Sequence, residues 1–171
     1  MAVKILAIVQ ARMRSTRLPG KVLREVNGKS LIEILLHRVS KAKRVNRVVL
    51  ATGNTSHNDV LATRVESLGY EVFRGDEDNV LDRYYQAAKT YHAATIVRIT
   101  GDCPIIDPSI IDQVIDLHQD ARVDYASNTI PPTFPDGLDT EVFSFEALEG
   151  AWKNAVTNYD KEHVTPFIKS S

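Results

Sequence analysis

The spacing of apolar positions divides the first two thirds of the chain into alternating strands and helices. Apolar runs typical of buried strands occur at 4–10 and 47–53, while 70–75 reads as a third strand and 95–103 as a strand that runs into a loop. Apolar positions at helical spacing, which predict amphipathic helices, occur at 31–43, 60–69, 80–93 and 109–121. Strand–helix alternation of this kind predicts βαβ units, and therefore an α/β fold with helices on both faces of a parallel sheet.

Capping signals fix the start of two of these helices. Ser30 stands three residues before Glu33, the spacing of a capping box. Asp107 followed by Pro108 is typical of an N-cap and the first helical position. Both signals lie directly before an apolar periodic run, so they support the helix predictions.

The alternation changes after residue 123. Segments 124–129 and 136–145 read as strands separated by a proline-rich turn, and 144–156 reads as a helix. No stretch has the composition of a linker. The sequence therefore predicts a single domain over residues 1–171.

The charge of the chain is unevenly distributed, although its net value is only -1. Residues 1–50 hold 12 Lys and Arg against 2 Asp and Glu, and the remainder is acidic. Such a division suggests a site where an anion and a metal ion meet, or a chance imbalance of surface charge. A single cysteine excludes an internal disulfide, and the apolar start is too short for a signal peptide or a membrane span, which favours the cytoplasm.

The basic loop, residues 11–21, follows the first predicted strand. It carries Arg12, Arg14, Arg17 and Lys21, and no acid precedes Glu25. In open α/β sheets, ligands bind at the carboxyl ends of the strands, where this loop begins. Arginine grips phosphate with two hydrogen bonds and lysine adds a movable charge, so the loop suits a triphosphate. The alternative is a solvated basic loop.

Other phosphate- and nucleic-acid-binding patterns are not met. The segment Asn27–Ser30 resembles the end of a Walker A loop, but Leu23 stands where that loop needs glycine. No G-x-G-x-x-G follows a predicted strand. The basic loop contains no aromatic residue for base stacking, which disfavours a nucleic-acid binder.

Acidic residues follow two later strands. Asp102 lies just past a strand end, where one carboxylate can hold Mg²⁺ together with substrate oxygens, or can cap a turn before Pro104. Asp139 and Glu141 alternate onto one face, where they either reach sugar hydroxyls or face solvent. Cys103 is interpreted as a small, half-buried residue rather than a nucleophile.

Five segments, in order, resemble one enzyme family over essentially the whole chain. They are ARMRSTRLPGK (11–21), GDEDNVLDRY (75–84), GDCPIID (101–107), DGLDTEVF (136–143) and EHVTPFI (162–168). The set is similar to the cytidylyltransferases that activate 3-deoxy-manno-octulosonate and acylneuraminate, with the spore coat polysaccharide biosynthesis protein F group as the nearest branch. The resemblance implies a Rossmann-like three-layer α/β/α sandwich of the nucleotide-diphospho-sugar transferase type.

The resemblance also implies a reaction and residue roles. CTP and a sugar or sugar acid would give a CMP-sugar and pyrophosphate with Mg²⁺, for surface polysaccharide biosynthesis. The implied catalytic residues are Arg12, Lys21 and Asp102, with Asp102 as metal ligand. The implied nucleotide-binding residues are Arg12, Ser15, Arg17, Lys21, Arg74, Asn79 and Arg83. Asp139 and Glu141 would bind the sugar, and residues 123–168 would form a homodimer contact.

Two departures from the family pattern qualify these expectations. Thr100 replaces a glutamine of better-studied relatives, which leaves the preference for CTP open. The family pattern continues past the EHVTPFI segment to a second metal carboxylate, so we expect that a C-terminal part is missing and that turnover is impaired. The alternatives are a non-catalytic nucleotide- or sugar-nucleotide-binding subunit, and a glycosyltransferase of related fold that uses Asp102.

Overall fold

A six-stranded mixed sheet forms the centre of the fold in the computed structural model, which describes residues 3–15 and 18–170. The strands are β1 (Val3–Gln10), β2 (Glu25–Val26), β3 (Lys29–Ser30), β4 (Arg47–Gly53), β5 (Glu71–Gly75), β6 (Ala93–Thr100), β7 (Tyr125–Ser127) and β8 (Glu141–Ser144). The central sheet has the order β5-β4-β1-β6-β8-β7, while β2 and β3 form a separate hairpin.

Seven helices surround the described part of the sheet. They are α1 (Leu31–Val39), α2 (Asp59–Ser67), α3 (Val80–Thr90), α4 (Pro108–Ala121), α5 (Phe145–Asn154), α6 (Asn158–His163) and α7 (Pro166–Ser170). Side chains of α1, α2 and α4 belong to the apolar core on one face of the sheet, and those of α3, α5 and α7 to the core on the other. The predicted three-layer α/β/α sandwich is confirmed. None of the described helices has the length and apolar character needed to cross a membrane.

The predicted parallel sheet is confirmed for four strands. The pairs β1–β4, β1–β6 and β4–β5 are parallel, whereas β8 pairs antiparallel with both β6 and β7. The strand–helix alternation changes after residue 123 because the strands that follow run antiparallel to their neighbours. Because parallel strands end at one edge, the loops after β1, β4 and β6 gather there.

The predicted caps are also confirmed. The Ser30 hydroxyl accepts a hydrogen bond from the Glu33 amide at 3.4 Å. The Asp107 carboxylate accepts from the Ser109 amide at 2.8 Å, with Pro108 as the first residue of α4. Local signals were sufficient at these positions because each cap depends only on residues nearby in sequence.

The part of the chain after residue 123 differs from the prediction in two respects. The strand predicted over 136–145 is shorter, because Asn128 binds the segment before β8. Its amide donates to the Leu138 carbonyl and its Oδ1 accepts from the Thr140 amide, both at 2.8 Å. In addition, the sequence analysis did not predict the short helices α6 and α7, which bring the EHVTPFI segment back to the sheet.

Candidate functional site

A cleft of about 300 Å³, called the main cleft below for its many charged lining residues, lies where the basic loop meets the ends of β1 and β6. Its cationic lining residues are Arg12, Arg14, Lys21, Arg83 and Arg98. Its acidic lining residues are Asp102 and Glu162, with Ser15, Thr100 and His163 also at the wall. The cleft therefore has the positive charge that an anionic ligand requires.

A close approach of two backbones sets this geometry. The Gly101 amide, just after β6, donates to the Gln10 carbonyl at the end of β1 over 2.7 Å. A Cβ at Gly101 would lie 2.8 Å from the Ala11 Cβ and 2.9 Å from the Gln10 carbonyl oxygen. Glycine is needed here, and it allows the basic loop and the Asp102 loop to start side by side.

The basic loop is held by hydrogen bonds at several points. Gly20, at a φ of 68°, donates its amide to the Met13 carbonyl over 2.9 Å. The Met13 amide donates to Oδ1 of Asn58 over 2.9 Å, and an Arg14 Nη lies 2.9 Å from Nε2 of His57. The turn after β4 thus holds the loop from one side. Arg17, predicted to bind the nucleotide, lies outside the described residues.

Lys21 and Asp102 face each other across the cleft. Their Nζ and Oδ2 atoms are 3.4 Å apart, and the Asp102 side chain is 49% exposed. Burial raises the pKa of Asp102. A hydrogen bond from Thr100 and the charge of Lys21 lower it by a larger amount, so the pKa of Asp102 lies below its ordinary value. Asp102 is an ionised carboxylate with an open side.

The acidic cleft adjoins the main cleft and shares Lys21 and Asp102 with it. Asp136 and Asp139 line its other wall. Burial, followed by the charges of Asp136, Glu141 and Asp102, raises the pKa of Asp139. Asp139 therefore lies in the acidic cleft among other carboxylates, and its predicted sugar contact stays a prediction.

Among residues 3–15 and 18–170, no three His, Cys, Asp or Glu side chains are grouped so that they could hold a metal ion. Asp102 fits a cation that takes one protein carboxylate and completes its shell with water and phosphate oxygens, which is the usual behaviour of Mg²⁺. The ionised state and the open side of Asp102 agree with that role.

Glu141 does not face solvent, so that interpretation was wrong; it lines neither cleft, and its predicted sugar contact stays a prediction. Its carboxylate is buried and accepts hydrogen bonds from Arg98, Tyr125, Thr165 and Lys169. The antiparallel register pairs it with Arg98, which brings the two side chains together. Burial raises the pKa of Glu141, but Arg98 and Lys169 outweigh burial and lower it to about 2.

Arg83 lines the main cleft, but its side chain is almost fully buried. Its Nη1 donates to the carbonyl oxygens of Asp76 at 2.5 Å and Glu77 at 3.3 Å. Burial lowers the pKa of Arg83. Gly75 leaves room for this side chain, since a Cβ there would lie 3.0 Å from the Arg83 Cγ.

Arg74 and Asn79 do not line either cleft. Arg74 donates to the Thr55 carbonyl over 2.9 Å and forms an ion pair with Asp59 at 2.6 Å. Asn79 caps α3 by accepting from the Asp82 amide at 3.0 Å. Both side chains are therefore committed to the scaffold.

The ionisable residues of the main cleft that the sequence did not reveal are Arg98, Glu162 and His163. Arg98 could have been recognised as a charge inside an apolar strand, since such a residue needs a buried partner or a ligand. Glu162 and His163 belong to a segment that was quoted only for its resemblance. Glu162 and His163 reach the main cleft in a segment that is held against the sheet by the contacts of Thr165 and Lys169 with Glu141.

Comparison with known proteins identifies the family. The cytidylyltransferase family model matches residues 6–171. The chain belongs to the cytidylyltransferase family. An uncharacterized protein of Methanocaldococcus jannaschii is 44% identical over 96% of this chain and 67% of that protein. The spore coat polysaccharide biosynthesis protein SpsF of Bacillus subtilis is 38% identical over 97% of this chain and 70% of that protein.

A solved structure agrees with this assignment. A cytidylyltransferase from Leptospira borgpetersenii superposes with a TM-score of 0.92 at 34% identity, over 99% of this chain and 72% of that one. The matched residues include both clefts, so the described geometry is that of a cytidylyltransferase fold. The chain spans about two thirds of the length of the two relatives.

Proposed function

We propose that this chain transfers a cytidylyl group from CTP to a sugar or sugar acid and releases pyrophosphate. The observation that carries the proposal is the main cleft at the carboxyl edge of the sheet, where five cationic side chains outnumber the two acidic ones and the ionised carboxylate of Asp102 lies among them. A nucleoside triphosphate and a divalent cation match that arrangement of charge.

The triphosphate lies, in this proposal, against the basic loop. Arg12, Ser15 and Lys21 line the main cleft on the β1 side. Arg12 contributes a planar guanidinium group, Ser15 a hydroxyl and Lys21 a movable ammonium group. Arg17 is assigned to the same task by the resemblance alone. Positive groups held in place near the phosphates stabilise the charge that develops during transfer.

Asp102 is the proposed ligand for Mg²⁺. When bound, Mg²⁺ would neutralise phosphate charge and help to orient the phosphate chain. Lys21, 3.4 Å from Asp102, lies on the boundary between the main cleft and the acidic cleft. We assign the two residues to the place where the nucleotide and the sugar meet.

The proposed reaction is an in-line displacement. A sugar hydroxyl in the acidic cleft, beside Asp139, attacks the α-phosphorus of CTP. A new phosphorus–oxygen bond forms, the bond between the α- and β-phosphates breaks, and the hydroxyl proton is released. Pyrophosphate leaves with the electron pair of the broken bond, and Lys21 offsets the added charge.

The relatives support this proposal at the level of chemistry. The name of the SpsF relative refers to spore coat polysaccharide biosynthesis, which fits the activation of a sugar for a surface polymer. Thr100 lines both clefts, so it is placed to contact the sugar or the base. We propose that its small side chain contributes to substrate choice.

A homodimer through residues 123–168 also remains a proposal. Trp152, Val156 and Tyr159 expose apolar surface in this region. Light scattering coupled to size-exclusion chromatography would give a dimer mass for the wild-type chain and a monomer mass for Val156→Asp. A monomer mass for the wild type would contradict the proposal.

Pyrophosphate release tests the reaction directly. The chain is incubated with CTP, Mg²⁺ and a panel that includes 3-deoxy-manno-octulosonate, N-acetylneuraminate and neutral sugars, and the pyrophosphate released is measured. The proposal predicts release that depends on one sugar and on Mg²⁺. Binding of CTP without release for any sugar at any Mg²⁺ concentration would instead identify a non-catalytic nucleotide-binding subunit.

A further inference from the structure

A buried asparagine outside both clefts holds the basic loop. Asn58 is fully buried at the end of the single-turn helix Ser56–Asn58, which follows β4. Its Oδ1 accepts the Met13 amide hydrogen over 2.9 Å. Met13 lies between Arg12 and Arg14, so this bond fixes the backbone from which two cleft arginines project.

The orientation of the Asn58 amide group is set by its neighbours. Nδ2 of Asn58 donates to Oε2 of Glu77 over 2.6 Å and to the Thr55 hydroxyl oxygen over 3.3 Å. A backbone amide can only donate a hydrogen bond, so the Asn58 oxygen must point toward the Met13 amide. The amide nitrogen of Asn58 is therefore left for Glu77 and Thr55, and the reversed orientation is excluded.

The chain is shaped to admit the Glu77 carboxylate at this point. A Cβ on Gly53 would lie 1.7 Å from Oε2 of Glu77, so a larger residue there would displace the Glu77 carboxylate from this position. The Thr55 hydroxyl donates to the same oxygen over 3.0 Å. The end of β4, the turn before α3 and the basic loop are thus joined through one buried set of hydrogen bonds.

We propose that Asn58 and Glu77 are positioning residues that hold the basic loop in its triphosphate-binding conformation. The inference rests on the proposed function of that loop. Neither residue lines the main cleft or the acidic cleft, so both act through Met13. A buried polar network of this kind favours one backbone conformation, and loss of one partner leaves the others unpaired.

A charge exchange between the two residues tests the proposal. Asn58→Asp keeps the shape and the acceptor for Met13 but sets a carboxylate against Glu77, and like charges repel at this distance. The double variant Asn58→Asp with Glu77→Gln restores a donor opposite an acceptor. Asn46→Asp is the matched control, because Oδ1 of Asn46 accepts the Ile5 amide hydrogen at 2.9 Å, on β1 but away from the clefts.

Two readouts are measured on each variant: hydrogen exchange of the peptide that contains Met13, and CTP affinity by calorimetry. Asn58→Asp is expected to speed exchange and weaken CTP binding, each by about tenfold. The double variant should return both to within about threefold of wild type. If Asn58→Asp does not fold, Thr55→Val removes one hydroxyl from the network and gives the same comparison with a smaller change.

The results separate the inference from the proposed function. Wild-type exchange and CTP affinity in Asn58→Asp, or changes no larger than those in Asn46→Asp, would overturn the positioning role. A lower melting temperature with unchanged loop exchange would overturn it as well. Failure of the wild type to bind CTP would contradict the proposed function, while the exchange measurement would still decide whether Asn58 and Glu77 hold the loop.

Discussion

Two contacts between a carboxylate and cationic groups adjoin β6, and they differ in what surrounds them. Asp102 meets Lys21 at 3.4 Å in the open wall between the two clefts. Glu141 meets Arg98 and Lys169 beneath the surface, where its side chain is only 6% exposed. The same pairing of charges leaves the first carboxylate open to a ligand and fully occupies the second.

The difference lies in how completely each carboxylate is bonded. Tyr125 and Thr165 donate hydroxyl hydrogens to Glu141 at 2.7 and 2.8 Å, in addition to its two cations. Asp102 has one long ion pair and an open side. A buried carboxylate with four donors cannot lose its charge without destabilising the fold, whereas an open one with a long ion pair can exchange that partner for a metal or a phosphate-bound cation.

The largest expected effect is loss of the buried contact. Glu141→Gln leaves Arg98 and Lys169 without their counter-charge, which we expect to lower the free energy of unfolding by about 4 kcal/mol. Urea unfolding followed by circular dichroism measures this. The control is Glu71→Gln, because the Glu71–Arg47 pair at 2.7 Å is exposed and should contribute under about 1 kcal/mol. Equal losses in the two variants would contradict the buried role of Glu141.

Acid should break the same contact. Folding lowers the pKa of Glu141 from its ordinary 4.5 to about 2, so the folded state binds this proton less readily than the unfolded state does. The stabilisation is therefore present above the ordinary pKa and is lost as pH falls toward 2, by up to about 3 kcal/mol. The unfolding free energy of the wild type, measured from pH 6 to pH 2.5, should fall more steeply than that of Glu141→Gln. Parallel curves would contradict the lowered pKa.

Removing the open cation should affect ligand binding rather than folding. Lys21→Met retains the aliphatic stem and removes the charge, so CTP affinity should fall about 30-fold, or about 2 kcal/mol. The melting temperature without ligand should change little, because the Lys21–Asp102 pair is exposed. Lys29→Met, on the exposed hairpin strand β3, is the control and should bind CTP like the wild type. Calorimetric titration distinguishes the two.

The smallest expected effect is on stability when the open carboxylate is neutralised. Asp102→Asn should change the free energy of unfolding by under about 1 kcal/mol, because its ion pair is half exposed. It should nevertheless abolish the Mg²⁺ dependence of CTP binding. A large loss of stability would show that Asp102 belongs to the scaffold, as Glu141 does.

Local signals in the sequence predicted much of the fold. Ser30, Asp107 and Pro108 act on neighbouring residues, and the apolar runs carry the period of the elements they form. The basic loop and Asp102 were placed correctly because strand ends in a parallel sheet meet at one edge. These features need no knowledge of distant contacts.

The remaining features depend on distant partners. Alternation placed Asp139 and Glu141 on one face, but only the antiparallel pairing of β8 with β6 sets Glu141 against Arg98. The approach of Glu162 and His163 to the main cleft requires the return of α6 and α7 across the sheet. Arg74 was assigned to the nucleotide by the resemblance alone, and nothing near it in sequence reveals its bond to the Thr55 carbonyl.

The most direct test of the account is thermal unfolding of the wild-type chain with CTP, UTP, ATP or GTP, each with and without Mg²⁺. A ligand that binds only the folded state stabilises it by about 2.7 kcal/mol at a concentration one hundred times Kd. The account predicts stabilisation by CTP that requires Mg²⁺ and is greatly reduced in Lys21→Met. No stabilisation by any of the four nucleotides, with or without Mg²⁺, would contradict the assignment of the main cleft to a nucleoside triphosphate.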